Sequence, residues 1–165
     1  MSILIGIALA IAVGLSASWV GLDRDRAMYP LVMIVIAAYY VLFALIGGSG
    51  EALLAEVLIA LAFVAAAVAG FKRSLWLVVA ALAAHGLMDI VHGAFVANPG
   101  VPTWWPPFCA AYDLVAAAYL AVLLARRRIN RLSSSLPTRR QFSWRLAHEE
   151  IGGLQRGQRS IRPSG

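Results

Sequence analysis

His85, Asp89 and His92 follow one another at spacings of four and three residues in the run His85-Gly86-Leu87-Met88-Asp89-Ile90-Val91-His92. At about 100 degrees per residue they fall within an arc of about 60 degrees, so one helix face carries two imidazoles and a carboxylate. Such a face either holds a divalent metal or moves protons. Asp89 and His92 form an Asp-x-x-His pair. It is close to the Glu-x-x-His element with which helical bundles hold iron or manganese, further carboxylates coming from facing helices. Zinc is the third candidate, since two His and one carboxylate leave a coordination position open for chemistry. The ligand set read this way is His85, Asp89, His92 and Asp113. His85 and His92 lie roughly 10 Å apart along the axis, so sharing one ion would strain both side chains. Without a metal, burial favours the neutral forms of carboxyl and imidazole, and each can then exchange a proton near neutral pH. In that acid-base reading the reacting carboxyls are Glu56, Asp89 and Asp113.

The elements that carry these residues are apolar. Of 165 residues 61% are hydrophobic and 13% charged, against roughly 45–50% apolar residues in a soluble domain. A membrane span needs about 20 mostly apolar residues. Five stretches meet that length: Ile3 to Leu22, Tyr29 to Ile46, Glu51 to Gly70, Ser74 to Val96 and Pro106 to Ala125. The expectation is an all-α integral membrane bundle of five transmembrane helices over residues 1–126, followed by a basic tail at 127–165.

Arg24 and Arg26 follow the first span, Lys72 and Arg73 the third, and Arg126, Arg127 and Arg128 the fifth, whereas Gly47 to Gly50 and Ala97 to Trp105 contain no Lys or Arg. The positive-inside rule then predicts an outside N-terminus and a cytoplasmic C-terminus. The first stretch lacks the basic start of a signal peptide, and removing it would put the Arg-rich tail outside. Ten of the fourteen Lys and Arg residues lie from Arg126 onward, so the formal charge of +6 belongs to the tail. A basic stretch directly after a hydrophobic span is a topogenic and lipid-binding arrangement, and no nucleic-acid partner is expected. In the tail, Trp144, Ala147, Ile151 and Leu154 share a helical spacing that suits the inner membrane face, while the surrounding Ser, Arg and Gly favour disorder.

A charged group at the bilayer centre costs at least about 2.5–3.5 kcal/mol, so an ionisable face should turn into the bundle and find partners. Glu56 on the third span and Asp113 on the fifth are those partners. Counted inward from the outer helix ends, both lie with Asp89 roughly 8–11 Å below the boundary, and Tyr39 and Tyr40 reach a similar level. Cys109 stands one turn before Asp113 on the same face, a position from which it can line the same pocket, although a small apolar packing role is the commoner use of such a residue. As the only cysteine in the sequence it has no internal disulfide partner. Tyr112 and Tyr119 share a different face and are expected to pack or to touch lipid. Gly6, Ala10, Gly14 and Ser18 form a small-residue stripe that lets another helix approach the first. Trp104 and Trp105 before Pro106 and Pro107 read as an aromatic belt and a helix start. Gly47, Gly48, Ser49 and Gly50 lack the Lys of a phosphate-binding loop.

The His85–His92 run and the stretch Pro102-Thr103-Trp104-Trp105-Pro106-Pro107-Phe108-Cys109, with Tyr112-Asp113 after it, resemble a family of small bacterial integral membrane proteins. The resemblance spans roughly the second to fifth helices and implies a shared site; the expected location is the inner (plasma) membrane. The arrangement is also similar in kind to membrane hydrolases of the alkaline ceramidase and adiponectin receptor type, which hold zinc with His from several helices. This chain departs from them in having two membrane His residues and fewer spans.

Three functions follow as expectations. The first is a membrane enzyme, a metal-dependent hydrolase or an acid-base isomerase or cyclase, acting on a lipid or other hydrophobic small molecule. The second is a proton- or cation-coupled transport or sensing module, working as a homo-oligomer because five helices make a narrow path. The third is a structural membrane subunit in which the polar face fastens helices together.

Overall fold

The computed structural model describes residues 1–126; the expectations for the tail fall outside the described residues. The polypeptide forms five helices, α1 (Ser2–Val20), α2 (Met28–Gly47), α3 (Gly50–Lys72), α4 (Trp76–Phe95) and α5 (Trp105–Ala125), with one 3-10 turn at Leu22–Arg24. No strand occurs among the described residues. Each helix is long and apolar enough to cross a membrane, and the chain is a multi-pass membrane protein. Helices satisfy their own backbone hydrogen bonds, which is why apolar stretches of this length take that form in lipid. The helix ends lie within two residues of those expected from hydropathy.

Local signals set those ends. Gly21 (φ 88°) and Gly48 (φ 66°) close α1 and α2 in the left-handed conformation that costs glycine nothing. Ser49 caps α3, its Oγ accepting from the Ala52 N–H at 3.3 Å. Pro106 and Pro107 occupy the first turn of α5, where a missing N–H leaves no intrahelical bond unmade.

The helices pack in the order α1, α5, α4, α3, α2. α5 is clasped by α1 on one side and α4 on the other. The α1 contact uses the expected stripe: Gly6, Ala10 and Gly14 are buried, joined by Ala17. A Cβ at Gly6 would collide with the Phe108 carbonyl oxygen. The α4 contact turns on Gly86, where an added Cβ would lie 3.1 Å from the Ala110 carbonyl oxygen and 3.2 Å from Asp113 Cβ. Between α2 and α5 the backbones do not pack closely, and the arc of helices is left open there. Met33, Ile36, Ala37, Leu82, Leu120 and neighbouring apolar side chains fill the interior.

Candidate functional site

Every polar residue of the α4 face is buried: His85 and Asp89 are each 1% exposed and His92 is 3% exposed. Glu56 from α3 (1%) and Asp113 from α5 (0%) are enclosed with them. The five groups predicted from the sequence therefore all face the bundle interior. They divide into two sets.

The first set lies on the α4–α5 seam. His85 Nδ1 is 2.7 Å from Asp113 Oδ2 and 3.5 Å from Asp89 Oδ2. Cys109, one turn before Asp113, directs its thiol at the same Asp113 oxygen at 3.8 Å. One ligand atom from each of His85, Asp89, Cys109 and Asp113 lies within 4.8 Å of the others, so this buried group can hold a metal ion. The sequence pointed to His92 as a ligand and to packing for Cys109; the assembled quartet holds Cys109 and leaves His92 outside. The reason is axial distance: His85 and His92 are seven residues apart, roughly 10 Å along α4, and each meets a different neighbouring helix.

The second set lies on the α3–α4 seam. His92 Nε2 is 2.9 Å from Glu56 Oε1. The same oxygen accepts from Asn98 Nδ2 at 2.9 Å, and Asn98 also donates to the Tyr40 carbonyl oxygen at 3.1 Å. Asn98 sits in the α4–α5 connection, so a loop residue closes the pair from the end of the bundle. Nothing in the sequence singled it out, because a loop Asn carries no periodic signal. Tyr40 joins the two sets: its ring centre lies 4.2 Å from that of His92 and 6.0 Å from that of His85.

Hydrogen bonding in the quartet is incomplete. Both oxygens of Asp89 and Oδ1 of Asp113 are buried without a partner, as are Glu56 Oε2 and the Tyr40 hydroxyl. Tyr40 approaches Asp89 but does not meet hydrogen-bond geometry. A buried carboxyl with no donor from the protein carries a proton, faces a cation or is met by water.

Two apolar grooves flank α5 and reach this group from opposite sides. A cavity of about 460 Å³ between α2 and α5 has Cys109 in its wall. One of about 400 Å³ has Asp89 in its wall, with Ile90 and Leu114 beside it. Tyr112 lines the first groove. Tyr119 instead hydrogen-bonds to Ser18 Oγ of α1 at 2.6 Å. Trp105 is half-buried, its ring centre 4.9 Å from that of Tyr39 and 5.0 Å from that of Phe43.

Compared with models of protein families, with curated proteins and with solved structures, the chain matches none of them. The site is accordingly read from its chemistry.

Proposed function

We propose that the protein is a small membrane enzyme that acts on a lipid or other hydrophobic molecule, with His85, Asp89, Cys109 and Asp113 holding a divalent metal. The observation that carries this reading is Asp89, buried in an apolar bundle with neither carboxylate oxygen in a hydrogen bond, His85 Nδ1 standing 3.5 Å from one of them, and three further donors gathered around it. A cation is the simplest partner for that oxygen pair. The donor set favours zinc or iron, since a thiolate beside an imidazole suits those ions better than it suits manganese. Such an ion would polarise a carbonyl or activate a nucleophile. Asp113 orients the His85 ring through its Nδ1 contact. Glu56 and His92, outside the ligand set, handle protons. The charge pattern supports a plasma-membrane orientation with the Trp105 end of the bundle outside.

Elemental analysis of the detergent-purified protein tests the metal. Near-stoichiometric zinc or iron is expected in the wild type and its loss in an Asp89→Asn, His85→Ala double variant. A folded wild type, prepared without chelators and containing no metal, would sink the metal part of the reading. Turnover is tested with membrane lipid extracts followed by mass spectrometry. Product that disappears with Asp89→Asn supports the enzyme; full activity in that variant removes Asp89 from the mechanism.

One observation favours a second reading. Asn98, Glu56, His92, Tyr40 and the His85–Asp113 pair succeed one another from the loop into the bundle, an order suited to relaying protons. Proton flux into liposomes without turnover of any lipid would select transport over catalysis. A purely structural role leaves both assays silent.

A further inference from the structure

The reading of the quartet as a reacting centre raises the question of how a hydrophobic molecule reaches it. The buried group has no broad aqueous mouth: Asn98, Glu56 and His92 close it from the loop side. The open places are lateral. The larger lies where α2 and α5 fail to pack, and Leu31, Val35 and Tyr39 of α2 face Trp105, Cys109 and Tyr112 of α5 across it.

From these observations we infer that this groove is the binding site for one acyl chain of a membrane lipid, which slides in sideways from the bilayer and lies against Cys109. The inference rests on the proposed centre but concerns binding alone. Four features lead to an acyl chain.

The groove lies within the spanning stretches of α2 and α5, where the surrounding solvent is lipid. Leu31 and Val35 are 61% and 49% exposed on its rim. Its walls follow the helix axes: Leu31 to Tyr39 covers about 12 Å and Trp105 to Tyr112 about 10 Å. A slot of that length runs parallel to lipid chains and is shorter than half of a hydrocarbon core about 30 Å thick. Finally, apart from Tyr39 and Tyr112 the walls carry mostly apolar side chains, which suits a hydrocarbon chain rather than a polar ligand. Cys109 stands in this wall one helical turn from Trp105 and passes directly to Asp113. A chain lying in the slot would therefore run past the quartet.

The full-length protein in nanodiscs of phosphatidylethanolamine and phosphatidylglycerol, doped with a phosphatidylethanolamine bearing a photoactivatable diazirine on its acyl chain, tests this. Adducts are mapped by peptide mass spectrometry. They should concentrate on α2 around Val35 and on α5 around Phe108 and Tyr112. Val35→Trp or Leu31→Trp, each filling the groove from its rim, should lower that labelling by about tenfold, the equivalent of about 1.4 kcal/mol. Leu58→Trp, on the exposed face of α3, should leave it unchanged. Adducts spread over all five helices in proportion to exposure, or unaffected by both filling variants, would overturn the inference. So would adducts confined to Ile90 and Leu114 in the other groove. Neither metal nor turnover is needed for labelling, so loss of the acyl site and loss of the proposed enzyme register separately.

Discussion

Two polar clusters occupy α5, and they are built to opposite ends. Near its close, Tyr119 shares a 2.6 Å hydrogen bond with Ser18, and Ser18 donates to the buried Asp23 at 2.6 Å. Each of those contacts is matched; the neighbouring Tyr29 hydroxyl is the one buried group left without a partner. Nearer its start, Asp113 and Cys109 meet His85 and Asp89, and there three carboxylate oxygens make no hydrogen bond. The first cluster fastens α1 and the following turn to α5. The second pulls ionisable groups together and leaves them wanting. Matched hydrogen bonds are the mark of structure, and unmatched buried carboxyls mark a place that awaits a proton, an ion or a ligand.

Substitutions sharpen that contrast. The largest effect is expected from Asp113→Ala, which strands His85 beside Asp89; a loss of about 3–5 kcal/mol follows from breaking a buried pair by removing one partner. Tryptophan-fluorescence unfolding in detergent reads it, and a change below about 1 kcal/mol would mean that the pair is not charged in the folded protein. Gly86→Val comes next. The added side chain meets the α5 backbone and Asp113, so overpacking of about 1–3 kcal/mol is expected, together with a lower metal content as the seam opens. Unchanged metal binding in that variant would show that the quartet does not depend on close α4–α5 contact. Ser18→Ala should be mildest, about 1.2 kcal/mol for the two hydrogen bonds it removes at about 0.6 kcal/mol each, with metal content unaltered. A loss of metal there would couple the two ends of α5 and end the distinction drawn between them.

Much of the architecture is legible in the residue order. Five continuous apolar stretches of about 20 residues dictate five helices, because a helix of that length crosses the membrane with its backbone hydrogen bonds satisfied within one segment. The Gly6, Ala10 and Gly14 spacing names the face by which α1 docks, and the Pro106-Pro107 pair names where α5 begins. The His85–Asp89–His92 spacing is likewise a local property: helical periodicity alone puts the three on one face, and the cost of burying charge in lipid turns that face inward.

Which group meets which is a different kind of information. Helical periodicity placed Glu56 and Asp113 at similar depth, yet Glu56 takes His92 and Asp113 takes His85, because α3 and α5 approach α4 from different sides. Cys109 is a packing residue by frequency and a member of the quartet by position. Asn98 reaches Glu56 only because the α4–α5 connection folds back over the bundle, with Gly100 seated against Phe43 and Gly47. Lateral separations between helices depend on contacts such as Gly86 on Ala110 and Gly6 on Phe108, which join residues far apart in the chain. Spacing along one helix reports angle and depth, while the distances that make a metal site or an open groove belong to the packing between helices.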